Sequence, residues 1–165
     1  MNAAEFKDKI LDLRPHYSDK YRSMIDSISK KQERLGKGNI ALFGAYYQTF
    51  MYACIIGMRL GKPKYFERGE KSTEFAPMYK WKPTQIRDYI VLMLFNRSKS
   101  YGYDWMDLEN ASNEVVVSFL QAFEQEMEGY ANRGFEYILN KWEKERVTFE
   151  SPTIFVEILQ GIDNQ

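Results

Sequence analysis

Apolar residues recur along most of this chain at the three- and four-residue intervals of an amphipathic helix, and no segment shows the strict alternation of a half-buried strand. Phe6, Ile10 and Leu13 share one face of a first helix, which Pro15 ends because its ring and missing N–H disrupt the turn before it. Tyr21, Met24, Ile25 and Ile28 form the buried stripe of a second helix with Ser18 as its N-cap. That helix runs into Lys30, Lys31 and Arg34 and stops at the glycines of 36–38, so its last turn is cationic, as suits a helix C-terminus. Residues 41–60 predict a third helix, apolar on most of its circumference, as expected of an element surrounded by others. Ala53, Gly57 and Gly61 follow one another at intervals of four, which lets another helix approach closely, and Gly61 with Pro63 behind it makes a stop.

Residues 62–82 lack any period and contain Pro63, Gly69 and Pro77, which makes them the longest loop, and such a loop inside a compact domain is more often functional than incidental. Pro83, at a first helical position, opens a helix whose stripe is Ile86, Tyr89, Ile90, Met93 and Leu94. Asp104 can cap a short helix, and a long one follows with Val116, Phe119, Leu120, Phe123, Met127 and Tyr130 on one face. Asn132-Arg133-Gly134 is expected to break or kink it, with Phe135, Ile138, Leu139 and Trp142 continuing the pattern beyond. Ser151-Pro152 reads as the start of a last helix carrying Phe155, Ile158 and Leu159. The expectation is an all-α fold: a single compact helical domain, residues 1–165, of six or seven helices around a buried central helix at 41–60.

A chain of 165 residues can bury roughly two thirds of its unfolded surface, so no disulfide or structural metal is needed. The single cysteine, Cys54, lies between apolar neighbours that would suppress its thiolate and reads as inert packing. Residues 40–58 hold no charge, yet Tyr46-Tyr47-Gln48-Thr49 in their midst would be costly in lipid, which favours a buried helix over a membrane span. The N-terminus lacks the basic and apolar regions of a secretory signal, so a cytoplasmic location is expected.

Charge changes the picture most. The formal net charge is +0, but residues 1–102 carry 19 Lys/Arg against 10 Asp/Glu and residues 103–165 carry 4 against 13. Two halves of +9 and −9 attract each other or face different partners, and the basic one suits an anion such as nucleic acid. Arg59, Lys62, Lys64, Arg68, Lys71, Lys80 and Lys82, interleaved with Tyr65, Phe66, Phe75, Tyr79 and Trp81, combine phosphate-neutralising cations with rings that can stack on bases; Trp81 is the expected stacking platform. Glu67, Glu70 and Glu74 oppose that reading, and the alternative is a solvated loop pinned by its aromatics. Lys30, Lys31, Arg34 and Lys37 form a second cationic cluster with the same ambiguity.

Glu124 and Glu128 share a helix face, a spacing that could bring two carboxylates to one metal or into acid/base roles. Such sites recruit histidine, and the only one, His16, falls in a predicted turn, so a solvated acidic face is expected and no catalytic or metal-ligating residue is assigned. No glycine motif for phosphate is present, since Gly36-Lys37-Gly38 has neither the spacing nor the strand before it. No cofactor and no small-molecule ligand follow from these residues.

Three segments in order carry a family resemblance: Arg14-Pro15 followed by Tyr17 and Tyr21; Phe50-Met51-Tyr52-Ala53-Cys54-Ile55-Ile56-Gly57; and Glu128-Gly129-Tyr130-Ala131-Asn132-Arg133-Gly134-Phe135-Glu136. Together they resemble small bacterial accessory proteins encoded beside DNA phosphorothioation and related phage-defence systems. The family wording is similar to Tyr-Ala-Asn-Gly-Gly, where this chain has Arg133 at the first glycine, together with a longer middle loop and an added C-terminal helix. The resemblance implies a genomic setting and brings no active-site residue with it. The leading expectation is a non-enzymatic accessory protein whose basic loop meets DNA or a DNA-bound complex and whose acidic half meets a protein partner. The second is a protein-interaction subunit without nucleic-acid contact, and the third, ranked last, a hydrolase using Glu124 and Glu128.

Overall fold

The computed structural model describes residues 3–29 and 44–165. Among them lie six α-helices, α1 (Ala3–Leu11), α2 (Arg22–Ile28), α3 (Tyr46–Leu60), α4 (Thr84–Asn96), α5 (Asn113–Lys144) and α6 (Ile154–Asp163), joined by loops and short 3-10 turns. The fold is all-α. Two three-residue strands, β1 (His16–Ser18) and β2 (Ser72–Glu74), pair antiparallel with His16 opposite Glu74 and Ser18 opposite Ser72. Strands of that length are too short to show an alternating pattern, which is why periodicity gives no sign of them.

The principal packing is α3 against α5, and it is a contact between backbones. A Cβ placed on Gly57 would stand 1.8 Å from the carbonyl oxygen of Tyr130, and one placed on Gly134 would stand 1.8 Å from that of Ala53. The two helices therefore meet at two points one turn apart on each, and only the missing side chains let them come so close. Ala53 and Gly57 serve the close approach their spacing suggests, whereas Gly61 does something else: at φ 86 it ends α3 in the left-handed region, its N–H bonded to Gly57 and Met58 carbonyls. The expected break at Asn132-Arg133-Gly134 does not occur. α5 runs unbroken for 32 residues, because Gly134 is there to admit α3 and not to end the helix.

Large side chains fill the space on either side of this crossing. Phe50 contacts Phe75, Trp81 and Phe135, and Tyr21 stacks on Phe135. Phe95 of α4 packs on Phe119 and Phe123 of α5, Phe6 of α1 joins them, and Phe155 ties α6 to Tyr52 of α3. Ring pairs at these distances add to the burial energy and fix how each helix sits. A buried Ser29–Thr49 hydrogen bond and the Tyr46–Asp26 contact couple α2 to the first turn of α3.

Several boundaries differ from expectation. The central helix begins at Tyr46, with Gly44 at φ 62 before it and Gln48 Oε1 accepting from the Ala45 N–H at 2.9 Å; residues 41–43 lie outside the described ones. Ser18 caps no α-helix; its hydroxyl turns to Glu70 instead. Pro83 is the N-cap of α4 and not its first residue, and Tyr89, expected in the stripe, is half exposed while Arg87 is buried. α6 starts at Ile154, with Ser151 and Thr153 hydroxyls both donating to Glu157 at 2.9 and 2.6 Å. Asp104 does cap its 3-10 turn, accepting from Met106 N–H. No helix among the described residues is long and apolar enough to cross a membrane.

The crossing predicts opposite signs for two glycine substitutions. Gly57→Ala should destabilise by about 3 kcal/mol or more, since the new methyl meets backbone that cannot rotate away. Gly161→Ala in α6, where nothing lies within 4 Å, should stabilise by about 0.5 to 1 kcal/mol. Urea unfolding followed by circular dichroism checks both, and equal stability of the Gly57 variant would disprove the contact.

Candidate functional site

The loop between α3 and α4 is fastened to the domain at four places. Lys64 gives its backbone N–H to the Gly129 carbonyl at 2.9 Å and takes a hydrogen bond from Asn132 Nδ2 on its own carbonyl at 2.8 Å, so α5 grips one residue of the loop on both sides. Gly129 is small because Pro63 and Tyr65 lie on it: an added Cβ would come within 2.9 Å of Pro63. Further along, Glu70 accepts from the Ser18 hydroxyl, from the Glu67 N–H at 2.8 Å and from Lys20 at 2.9 Å, closing the turn that contains Gly69. β2 then pairs with β1, and Trp81 is buried with its indole N–H donating to the Ala76 carbonyl at 2.7 Å.

These anchors decide which loop residues can meet a partner. Trp81 cannot be a stacking platform: it is fully buried between Phe50 and Tyr47, so it holds the loop and presents nothing to a base. Lys64 is only partly accessible and its ammonium group is paired with Glu136, which also takes a 2.9 Å contact from Arg133. Lys62, Arg68, Lys80 and Lys82 are exposed, as is Lys71, and none of the five makes an ion pair with a described residue. Tyr65 and Tyr79 are the exposed rings, at 54% and 52%, and the Lys80 ammonium lies 5.7 Å from the Tyr79 ring centre. Tyr65 keeps its hydroxyl on Glu126. Lys30, Lys31, Arg34 and Lys37 lie outside the described residues.

On the facing side of α5 the acidic residues are not the solvated surface that their spacing alone suggests. Glu124, Glu128, Asn132 and Glu136 fall at four-residue intervals, which places them on one face of a continuous helix. That face meets the β1 ribbon and the loop. Glu128 accepts from the His16 backbone N–H at 2.7 Å and contacts His16 Nδ1 at 3.0 Å, with its own side chain only 11% exposed. Glu124 accepts from the Arg14 N–H, and burial raises both carboxyls above the ordinary value of 4.5, with the neighbouring Glu124 charge adding to the rise at Glu128. The chain's one histidine, far from these glutamates in sequence, is therefore beside one of them. The two residues are 112 positions apart, and only the strand that carries His16 across α5 brings them together. A carboxylate on Nδ1 orients the ring and leaves Nε2 outside this contact, an arrangement able to move a proton. Among the described residues no three His, Cys, Asp or Glu side chains are placed to hold a metal ion.

Cys54 is buried at the α3–α5 contact with its sulfur 3.8 Å from the Met127 carbonyl, and burial pushes its thiol up, consistent with packing. Arg97, which no motif singles out, donates to the Tyr130 hydroxyl at 2.9 Å and to the Met58 carbonyl at 3.2 Å, neutralising the C-terminal end of α3. Compared with protein-family models, curated proteins and solved structures, the chain matches none.

The carboxylates predict opposite pH behaviour. Burial alone would raise the Glu70 carboxyl, but bonds from Ser18, Glu67 N–H and Lys20 overrule it and hold it at about 2. A depressed folded value means that stability is present above the ordinary 4.5 and is lost as pH falls towards 2. Glu70→Gln should thus cost about 1 to 3 kcal/mol at pH 7, with the deficit shrinking through that acid window. Glu124, with a raised value, acts the other way: its contribution is favourable below 4.5 and is lost as pH rises through the raised value. Glu124→Gln should raise the melting temperature at pH 7 and give no advantage near pH 4. Thermal melts of both variants across that range test the signs, and a Glu124 variant that melts lower at pH 7 would contradict the burial argument.

Proposed function

We propose that the protein is a non-enzymatic accessory protein of a bacterial DNA-modification or phage-defence system, with the outer side of its 62–82 loop contacting nucleic acid and its acidic half contacting a protein partner. The observation that carries the nucleic-acid contact is the set of five exposed cations, Lys62, Arg68, Lys71, Lys80 and Lys82, without an ion pair to any described residue, on a loop whose backbone is already fixed. Cations on a pre-ordered loop attract phosphate without first losing chain entropy on binding. Tyr79 replaces Trp81 as the ring available to a base. The setting comes from the resemblance of the three segments quoted above.

A second reading, a protein-interaction subunit without nucleic acid, is favoured by the exposed Glu67 and Glu74 on the same loop, which would repel phosphate. Fluorescence anisotropy with duplex and single-stranded oligonucleotides separates the two. If each of the five cations neutralises one phosphate, replacing all five with glutamine should flatten the slope of log K against log salt by about 4. Tyr79→Ala should cost about 1 to 3 kcal/mol on single strands and little on duplex. Unchanged binding by the five-residue variant, or no binding at low salt, would leave the protein-interaction reading in front.

A further inference from the structure

Tyr65 is anchored along one edge and at its tip, yet 54% of it is exposed. The edge rests on α5: a Cβ on Gly129 would come within 3.1 Å of both Cδ1 and Cε1 of the ring, so the glycine makes room for it. At the tip, the hydroxyl donates to Glu126, a residue only 6% exposed. Burial of that end, and after it the bond to Glu126, pushes the phenol up to about 12, so the donor keeps its proton through the neutral range. The adjoining backbone is fixed too, since the N–H and carbonyl of Lys64 are both bonded to α5, at 2.9 and 2.8 Å. A ring held in this way has given up its rotamer freedom on folding, and it leaves aromatic surface in water that the fold itself does not use.

We infer that Tyr65 is a pre-set stacking platform for an unpaired nucleobase. Covalent geometry keeps Lys62 and Arg68, three residues before and three after it, within about 11 Å along the chain. Both are exposed and without an ion pair to a described residue, against one exposed carboxylate, Glu67, in the same stretch. Cations before and after a ring suit a ligand that alternates flat neutral bases with phosphates. They disfavour the other group that a tyrosine face attracts, a lysine or arginine side chain of a partner. The base must be unpaired, because inside a duplex its faces are already covered by the neighbouring pairs. The inference rests on the reading of this loop as a nucleic-acid contact and makes single strands its ligand, adding to Tyr79 a ring whose position is fixed.

The test uses the full chain and three fluorescent probes: an oligothymidylate of about 12 nucleotides, a strand of equal length made of abasic sites, and a duplex. The abasic strand has the same phosphates and nothing to stack. Tyr65→Leu, which keeps an apolar side chain on Gly129, should weaken binding of the oligothymidylate about tenfold. Its binding of the abasic strand and the duplex, and its salt slope, should match wild type, since the cations are untouched. Tyr65→Phe keeps the ring and loses the bond to Glu126, and should bind the oligothymidylate within about threefold of wild type. Equal losses in the leucine and phenylalanine variants would make the tie to Glu126 a structural one and overturn the inference. So would unchanged binding by the leucine variant, or a loss on the abasic strand as large as on the oligothymidylate. Wild-type protein that binds both strands alike, with a salt slope that flattens when the five cations are replaced, would sink the platform and leave the loop reading standing. No binding of any probe at low salt would remove both.

Discussion

The backbone contact between α3 and α5 at Gly57 and Gly134 is the constraint from which the rest of the molecule follows. It fixes two helices at a separation that no side chain can share, and so determines where the residues flanking the glycines must lie. Tyr130, whose carbonyl faces Gly57, thereby receives Arg97 on its hydroxyl, and Arg97 reaches back to the end of α3. Phe135, next to Gly134, is placed against Phe50 and Tyr21. A shift of one residue along either helix would drive a Cβ into a carbonyl, so the register is set by sterics before any aromatic pair forms.

The same stretch of α5 carries the loop. Glu128, Gly129, Asn132 and Glu136 are interleaved with the groups that face α3, and each holds a piece of the β1 ribbon or of the 62–65 segment. The segment 128–136 thus holds α3 on one side and the ribbon and loop on the other. The positive and negative halves of the sequence meet along this seam, where Lys64 pairs with Glu136 beside the His16–Glu128 hydrogen bond. Part of the charge split is therefore satisfied inside the fold, and the exposed cations and carboxylates that remain are the ones open to partners.

Much of this architecture is legible in the residues themselves. Periodicity finds each α-helix of the described residues, and the interval between Ala53 and Gly57 announces the close approach; but α2 ends at Ile28, with Ser29 already extended, well short of the glycines of 36–38 expected to stop it, and α5 joins two expected helices into one. The features that periodicity misses have physical reasons. An Asn-Arg-Gly run has the composition of a helix break, yet Gly134 in a close crossing and glycine at a helix end are indistinguishable without knowing what lies opposite. Aromatic and basic interleaving in residues 62–82 says that rings and cations coexist, not which ring turns inward; Trp81, the largest, is buried because it has the most apolar surface to remove from water. His16 and Glu128 meet through tertiary packing alone, which local pattern cannot show.

Native-state hydrogen exchange tests the keystone role of the α3–α5 contact most directly. The amides of residues 53–58 and 130–135 should be the slowest in the molecule and should exchange only through global unfolding, with the same denaturant dependence as the unfolding transition. The β1–β2 ribbon and α6 should open earlier, without disturbing those amides. Exchange of the crossing residues through a local opening, or at a lower free energy than the ribbon, would contradict the central place given to this contact.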